Sequence, residues 1–120
     1  VTGGDDLKDC IFCKIGKKEV GAKIVHEDED LLAFEDLHPQ APVHIVLIPK
    51  RHIATLDKVS PQEEALLGEL IWAATAIARQ KKIAESGYRL VLNCNPDGGQ
   101  LIYHIHLHLL GGRQMHWPPG

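Results

Sequence analysis

Seven residues near the C-terminal end, His104-Ile105-His106-Leu107-His108-Leu109-Leu110, constrain this chain more than any other stretch. In an extended strand successive side chains point to opposite faces. The alternation therefore puts His104, His106 and His108 on one face. Ile105, Leu107 and Leu109 share the other, where they can pack against a core. Three adjacent imidazoles are costly to bury unless each is hydrogen-bonded or metal-bound, so a purely structural role is the minor expectation. Two chemistries remain open. One is a metal site, because neutral imidazole is the commonest metal ligand. The other is nucleophilic catalysis, in which one imidazole attacks while its neighbours set tautomer and charge.

The loop ahead of this stretch, Asp97-Gly98-Gly99-Gln100, favours phosphate chemistry. Glycines let backbone N–H groups approach an oxyanion closely. A glycine pair alone is usually just a turn. Beside three histidines it points to phosphoryl or nucleotidyl transfer.

The rest of the chain predicts an α+β domain. Residues 11–18 read as a short helix. Ile24 to His26 and Leu31 to Glu35 read as strands joined by the polar turn Asp28-Glu29-Asp30. Val43 to Ile48 is a β-branched buried strand ended by Pro49. Ser60-Pro61-Gln62-Glu63 has the capping residues of a helix start, and Gly87 those of a helix end. One long helix of roughly two dozen residues is expected between them. Tyr88 to Asn93 and Ile102 to Leu110 return to strand pattern. The sum is an antiparallel sheet of about five strands with one long helix. At 120 residues the chain can bury one core, so 1–120 reads as a single domain. Residues 1–9 are expected to be flexible, and 111–120 an irregular tail. The net charge of −3 disfavours non-specific nucleic-acid binding without excluding a nucleotide. No apolar run approaches the roughly 18 residues of a membrane helix, and no secretory signal is visible. Three cysteines, Cys10, Cys13 and Cys94, are an odd count for a disulfide framework. A cytoplasmic, reducing setting is the expectation.

Taken with Leu32-Ala33-Phe34-Glu35-Asp36, Pro39-Gln40-Ala41-Pro42-Val43-His44, Leu47-Ile48-Pro49-Lys50-Arg51-His52 and the tail from Gly111 to Gly120, the histidine stretch resembles the histidine-triad (HIT) superfamily, and within it the Hint branch of nucleoside phosphoramidases. The likeness covers nearly the whole chain. It implies a HIT-like fold in a two-fold homodimer, and hydrolysis of adenosine or guanosine 5′-monophosphoramidates, with aminoacyl adenylates as further candidates. It implies His106 as the nucleophile that forms a nucleotidyl-histidine, His104 as its orienter, and His108 and His44 lining the phosphate site. Asp36 would accept from the ribose hydroxyls. Phe12, Ile15, Phe34, Leu37 and Val46 would form the base pocket. Asn93, Gly99 and Gln100 would lie near the phosphate and leaving group, and Trp117 would reach the neighbouring subunit's site. Leu101 stands where most Hint proteins carry a serine, so a hydroxyl beside the leaving group is missing. Cys10-Ile11-Phe12-Cys13 has zinc-ligand spacing, and the resemblance pairs it with His52 and His104 as a structural zinc site; no cofactor is needed for catalysis. Rival readings are a dinucleoside polyphosphate hydrolase, a nucleotide-binding regulatory module with little turnover, and a zinc-storage protein.

Overall fold

The computed structural model describes residues 9–120, so most of the expected flexible lead-in lies outside the described residues. Helix α1 spans Ile11–Gly16, and Cys10 caps it by accepting the Cys13 N–H on its sulfur. Strands β1 (Ile24–Glu27) and β2 (Leu31–Glu35) form a hairpin over the Asp28 turn, whose carboxylate accepts from the Asp30 and Leu31 N–H groups. Strand β3 spans Val43–Pro49, helix α2 Glu64–Gln80, β4 Tyr88–Val91 and β5 Leu107–Gly111. All strand pairings are antiparallel, in the order β1-β2-β3-β5-β4.

The sheet buries both faces. On one, Ala33, Ile45, Leu47, Leu107 and Leu109 meet Leu70, Ala74, Ile77 and Ala78 of α2. On the other, Leu32, Phe34, Val46 and Ile48 meet Phe12 and Ile15 of α1. Strand alternation places His44 and His108 on this second face, because Val46 pairs with His108 in the β3–β5 register.

Two expectations need correction. The long helix is shorter than its end markers imply. Its first turn, Pro61–Glu63, is 3₁₀, with Glu63 closing the Ser60 capping box. It ends at Gln80, where Lys82 takes the left-handed conformation expected of Gly87. The Ile83 N–H returns to the Ala78 carbonyl and Ile83 is buried, which closes a Schellman-type end. The last strand is also shorter than expected and starts at Leu107. Pro49, the β3 residue that would continue the pairing, has no N–H. Its carbonyl instead accepts from the His104 ring at 2.7 Å, and the Ile105 N–H goes to Ile53.

A two-imidazole cleft and a thiol–imidazole cluster

The three histidines share the face that α1 covers but divide between two clusters. His104 is 0% exposed, with Phe12 edge-on to its ring and the thiols of Cys10 and Cys13 beside it. Its ring Nε2–H donates to the Pro49 carbonyl, so the lone pair sits on Nδ1. That nitrogen faces Cys10 Sγ at 3.3 Å and Cys13 Sγ at 3.6 Å, and Cys13 Sγ lies 3.3 Å from His52 Nδ1. All four ligand atoms lie within 4.8 Å of one another. In a tetrahedral zinc site, bonds of roughly 2.3 Å to sulfur and 2.0–2.1 Å to nitrogen put neighbouring ligands about 3.6 Å apart. The donor set and its spacing therefore fit zinc, and the Pro49 carbonyl supplies the outer hydrogen bond that metal-binding histidines usually have. Burial first, then the neighbouring Cys10 thiol, pushes Cys13 up to about 11, so a bound cation is what would make it a thiolate.

His106 is held by the backbone. Its Nδ1–H donates to the His104 carbonyl at 2.8 Å, since a carbonyl can only accept. The lone pair is therefore on Nε2. Burial, outweighing that carbonyl and Asp36, holds its pKa below the ordinary imidazole value, so the ring is neutral near pH 7. Phe12 meets the ring edge-on, with centroids 5.0 Å apart.

His108 and His44 form a polarised relay. The Gln40 N–H donates to His44 Nδ1 at 3.0 Å. The His44 proton is thus on Nε2, which donates to His108 Nδ1 at 2.9 Å. His108 in turn must carry its own proton on Nε2. One backbone amide, in the loop between β2 and β3, so sets two tautomers and leaves a neutral N–H donor at the end of the chain. Burial first, with His106 and His44 adding to it, lowers His108 to about 4. Asp36, His44 and His108 also lie close enough to cage a cation. Here the tautomer argues otherwise: His44 Nε2 carries a proton and has no lone pair to give.

A cavity of about 380 Å³ opens over this face, within the roughly 300–1,000 Å³ typical of small-ligand sites. Phe12, Ile15, Phe34 and Val46 form its apolar walls, with His106, His108, Asp36 and Asn93 also lining it. Asp36 Oδ1 accepts the His38 N–H at 2.8 Å, and Oδ2 lies 3.5 Å from His44 Nε2. Asn93 Nδ2 donates to the Gly98 carbonyl and so ties the glycine turn to the end of β4. Gly99, at φ 81°, sits in the left-handed region where a Cβ is disfavoured.

Of the residues expected to contact the nucleotide, all but Gln100 and Trp117 line this cavity. Of the four site histidines, His106 and His108 line it, with His44 bonded behind His108 and His104 in the thiol cluster. Gln100 does not line the cavity: its amide is spent inside the protein on Thr55, the Asn95 N–H and the carbonyls of Ala54 and Ile102. Trp117 is 82% exposed and does not line the cavity of its own chain. The tail that carries it is anchored by Arg89 to the His116 carbonyl and by Arg113 to the Gln40 carbonyl. Conversely, Ile11, His38 and Ile102 line the cavity without having been expected there, and Leu101, which stands where the family's serine would be, lines it too. Their position next to residues already singled out was the available clue.

Fold and site together define a protein of the histidine-triad class. The family model described as HIT domain matches residues 17–115, and the chain belongs to this family. It is 51% identical over 112 residues to the 14 kDa zinc-binding protein of Zea mays, covering 92% of this chain and 87% of that one. It is 49% identical over 112 residues to Adenylylsulfatase HINT1 of Arabidopsis thaliana, covering 92% and 76%. Among solved structures, a HIT family hydrolase from Legionella pneumophila superposes with a TM-score of 0.91 at 53% identity, covering 92% of this chain and 99% of the other. No helix among the described residues is long and apolar enough to cross a membrane.

Proposed function

We propose that this chain is a nucleotide hydrolase of the HIT superfamily that cleaves the phosphorus–nitrogen bond of purine nucleoside 5′-monophosphoramidates. One observation carries the reading: the His106 Nδ1–H is committed to a backbone carbonyl, which leaves Nε2 as a nucleophilic nitrogen beside a cavity. In the first step Nε2 attacks the α-phosphorus, an N–P bond forms, and the phosphoramidate P–N bond breaks. Its electron pair leaves with the amine nitrogen, which takes up a proton from solvent. In the second step water attacks phosphorus and gives up a proton to solvent, the His106–phosphorus bond breaks with its electron pair returning to Nε2, and the nucleotide and neutral imidazole are released. The His108 Nε2–H, oriented through His44, donates to a phosphate oxygen in both steps. Asp36 offers a spare carboxylate oxygen to the ribose diol, and Phe12, Phe34 and Val46 pack against the base. AMP and GMP are the corresponding products, and aminoacyl adenylates would present the same phosphorus to His106.

The plant relative named an adenylylsulfatase supports an adenylyl group as the portion held. The maize zinc-binding relative, with the ligand spacing above, supports a structural zinc on Cys10, Cys13, His52 and His104. When bound, zinc would supply a fixed cross-link between the N-terminal segment and the sheet. His104, through its carbonyl, would then hold the His106 ring. The exposed Trp117 and the edge position of β4 favour a two-fold homodimer with the tail near the neighbouring site. The free thiol pair favours a reducing, cytoplasmic setting.

The test is intact-mass spectrometry of the protein quenched during turnover of an adenosine phosphoramidate. A nucleotidyl adduct that maps to His106 is expected. Amine release with no adduct under any quench condition would reject covalent catalysis. AMP binding with no amine release would favour the regulatory-module reading.

A further inference from the structure

Leu101 and Leu37 are the two most exposed large hydrophobic residues among those described, at 90% and 86%. They come from different loops, Leu37 between β2 and β3 and Leu101 ahead of β5, yet both line the cavity that holds His106. The resemblance would give Leu37 to the base pocket, but unlike the buried Phe12, Ile15, Phe34 and Val46 it stands at the cavity mouth. Single exposed leucines are ordinary on a protein surface. Two at the mouth of one cavity, above apolar walls that are already buried, make an apolar rim with nothing from this chain on it. His106 is only 8% exposed and lies deep. Displacement at phosphorus is roughly in line, so the departing group lies on the far side of the phosphorus from Nε2. From a deep nucleophile that direction runs outward, past the rim. Leu101 also has no proton to offer, so what it can contribute to a departing group is contact with apolar surface.

We infer that Leu37 and Leu101 form a rim subsite selecting substrates whose departing group carries an aliphatic or other apolar chain. This rests on the phosphoramidase reading for its catalytic form. The natural substrate class would then be nucleoside phosphoramidates of lipophilic amines, rather than of ammonia or small polar amines.

The probe is a series of adenosine 5′-phosphoramidates of straight-chain primary amines, methyl to hexyl, in which leaving-group basicity is nearly constant. Wild type should gain up to about fourfold in kcat/KM per methylene until the rim is covered, the equivalent of about 0.8 kcal/mol for a buried methylene. Leu101→Ala and Leu37→Ala should flatten that slope, and Leu101→Met, which keeps volume and apolarity, should retain it. A flat series in wild type, or equal slopes in wild type and both alanine variants, overturns the inference. A parallel series of straight-chain alkyl esters of AMP, whose P–O bond replaces P–N, is measured by displacement of a fluorescent AMP analogue. Tighter binding with chain length, lost in the alanine variants, supports the rim even if no phosphoramidate is hydrolysed, in which case the catalytic reading alone has failed. Phosphoramidate hydrolysis without chain-length dependence in either series means that the rim inference alone has failed.

Discussion

Replacing His44 by phenylalanine tests the relay that runs from the Gln40 N–H through His44 to His108. The substitution keeps a ring of similar size in a site that is 7% exposed but removes both the acceptor for Gln40 and the donor to His108. His108 Nδ1 then loses its 2.9 Å partner, and the ring is free to carry its proton on either nitrogen. A hydrogen bond to a charged group is worth about 1.5–3 kcal/mol, and the loss in kcat/KM should be roughly 10- to 100-fold because 1.4 kcal/mol is tenfold. His108→Ala removes the terminal donor itself and should cost at least as much. Because His44 acts through His108, the double variant should be little worse than His108→Ala alone, with a coupling energy in the 0.5–3 kcal/mol range seen for residues in one network. The assay is kcat/KM for an adenosine phosphoramidate on all four proteins, with thermal melts to confirm that each is folded. Additive losses in the double variant would refute the relay. They would mean that His44 contacts the substrate or supports the fold in its own right.

His106→Asn should abolish amine release while AMP still binds, since base and ribose contacts lie elsewhere; activity within tenfold of wild type, about 1.4 kcal/mol of barrier, would end the nucleophile assignment. With Asp36→Ala, the preference for AMP over its 2′,3′-dideoxy analogue should vanish, and calorimetric titration of both ligands checks this; a persisting preference places the ribose reader elsewhere. For the zinc cluster, metal analysis of protein purified without chelator should approach one zinc per chain, and Cys10→Ser with Cys13→Ser should lower Tm more than the rate per folded molecule. A fall in rate at unchanged Tm would contradict a structural role. The buried imidazoles also set an acid limit. Burial lowers His44, and lowers His108 to about 4, whereas the unfolded chain titrates near 6.5. Below 6.5 the unfolded state binds more protons than the folded one, so stability is full above about 6.5 and is lost as pH falls through about 4. Tm should decline across that window and less steeply in His108→Phe; a flat profile would count against burial of neutral rings.

The parts of this site that were legible in the sequence are those set by strand alternation. Val43 to Pro49 and Leu107 to Gly111 pair as their patterns require, and His44 and His108 fall on one face because the period is two. His104 keeps to that face beside Phe12, but its hydrogen-bond partners are ones that local sequence does not reveal. The strand stops where β3 presents a proline, and the freed carbonyl draws in the His104 ring. The cysteines that meet its other nitrogen lie 94 and 91 residues away in the chain, a contact that only the family resemblance anticipated. Gln100 is a second case: the resemblance would put it near the phosphate and leaving group, yet its four partners come from residues 54, 55, 95 and 102 and turn it into an internal brace. The least legible element is the one that fixes the electrostatics of the cleft. The backbone N–H of Gln40 decides which nitrogens of His44 and His108 carry protons, and every residue except proline has such a group. Because that choice resides in the loop path and not in a side chain, a substitution at Gln40 should be tolerated unless the new residue is proline. Gln40→Ala should therefore retain kcat/KM, while Gln40→Pro should lose about what His44→Phe loses. If the two Gln40 variants lose activity equally, the glutamine side chain, and not the amide, is the functional group.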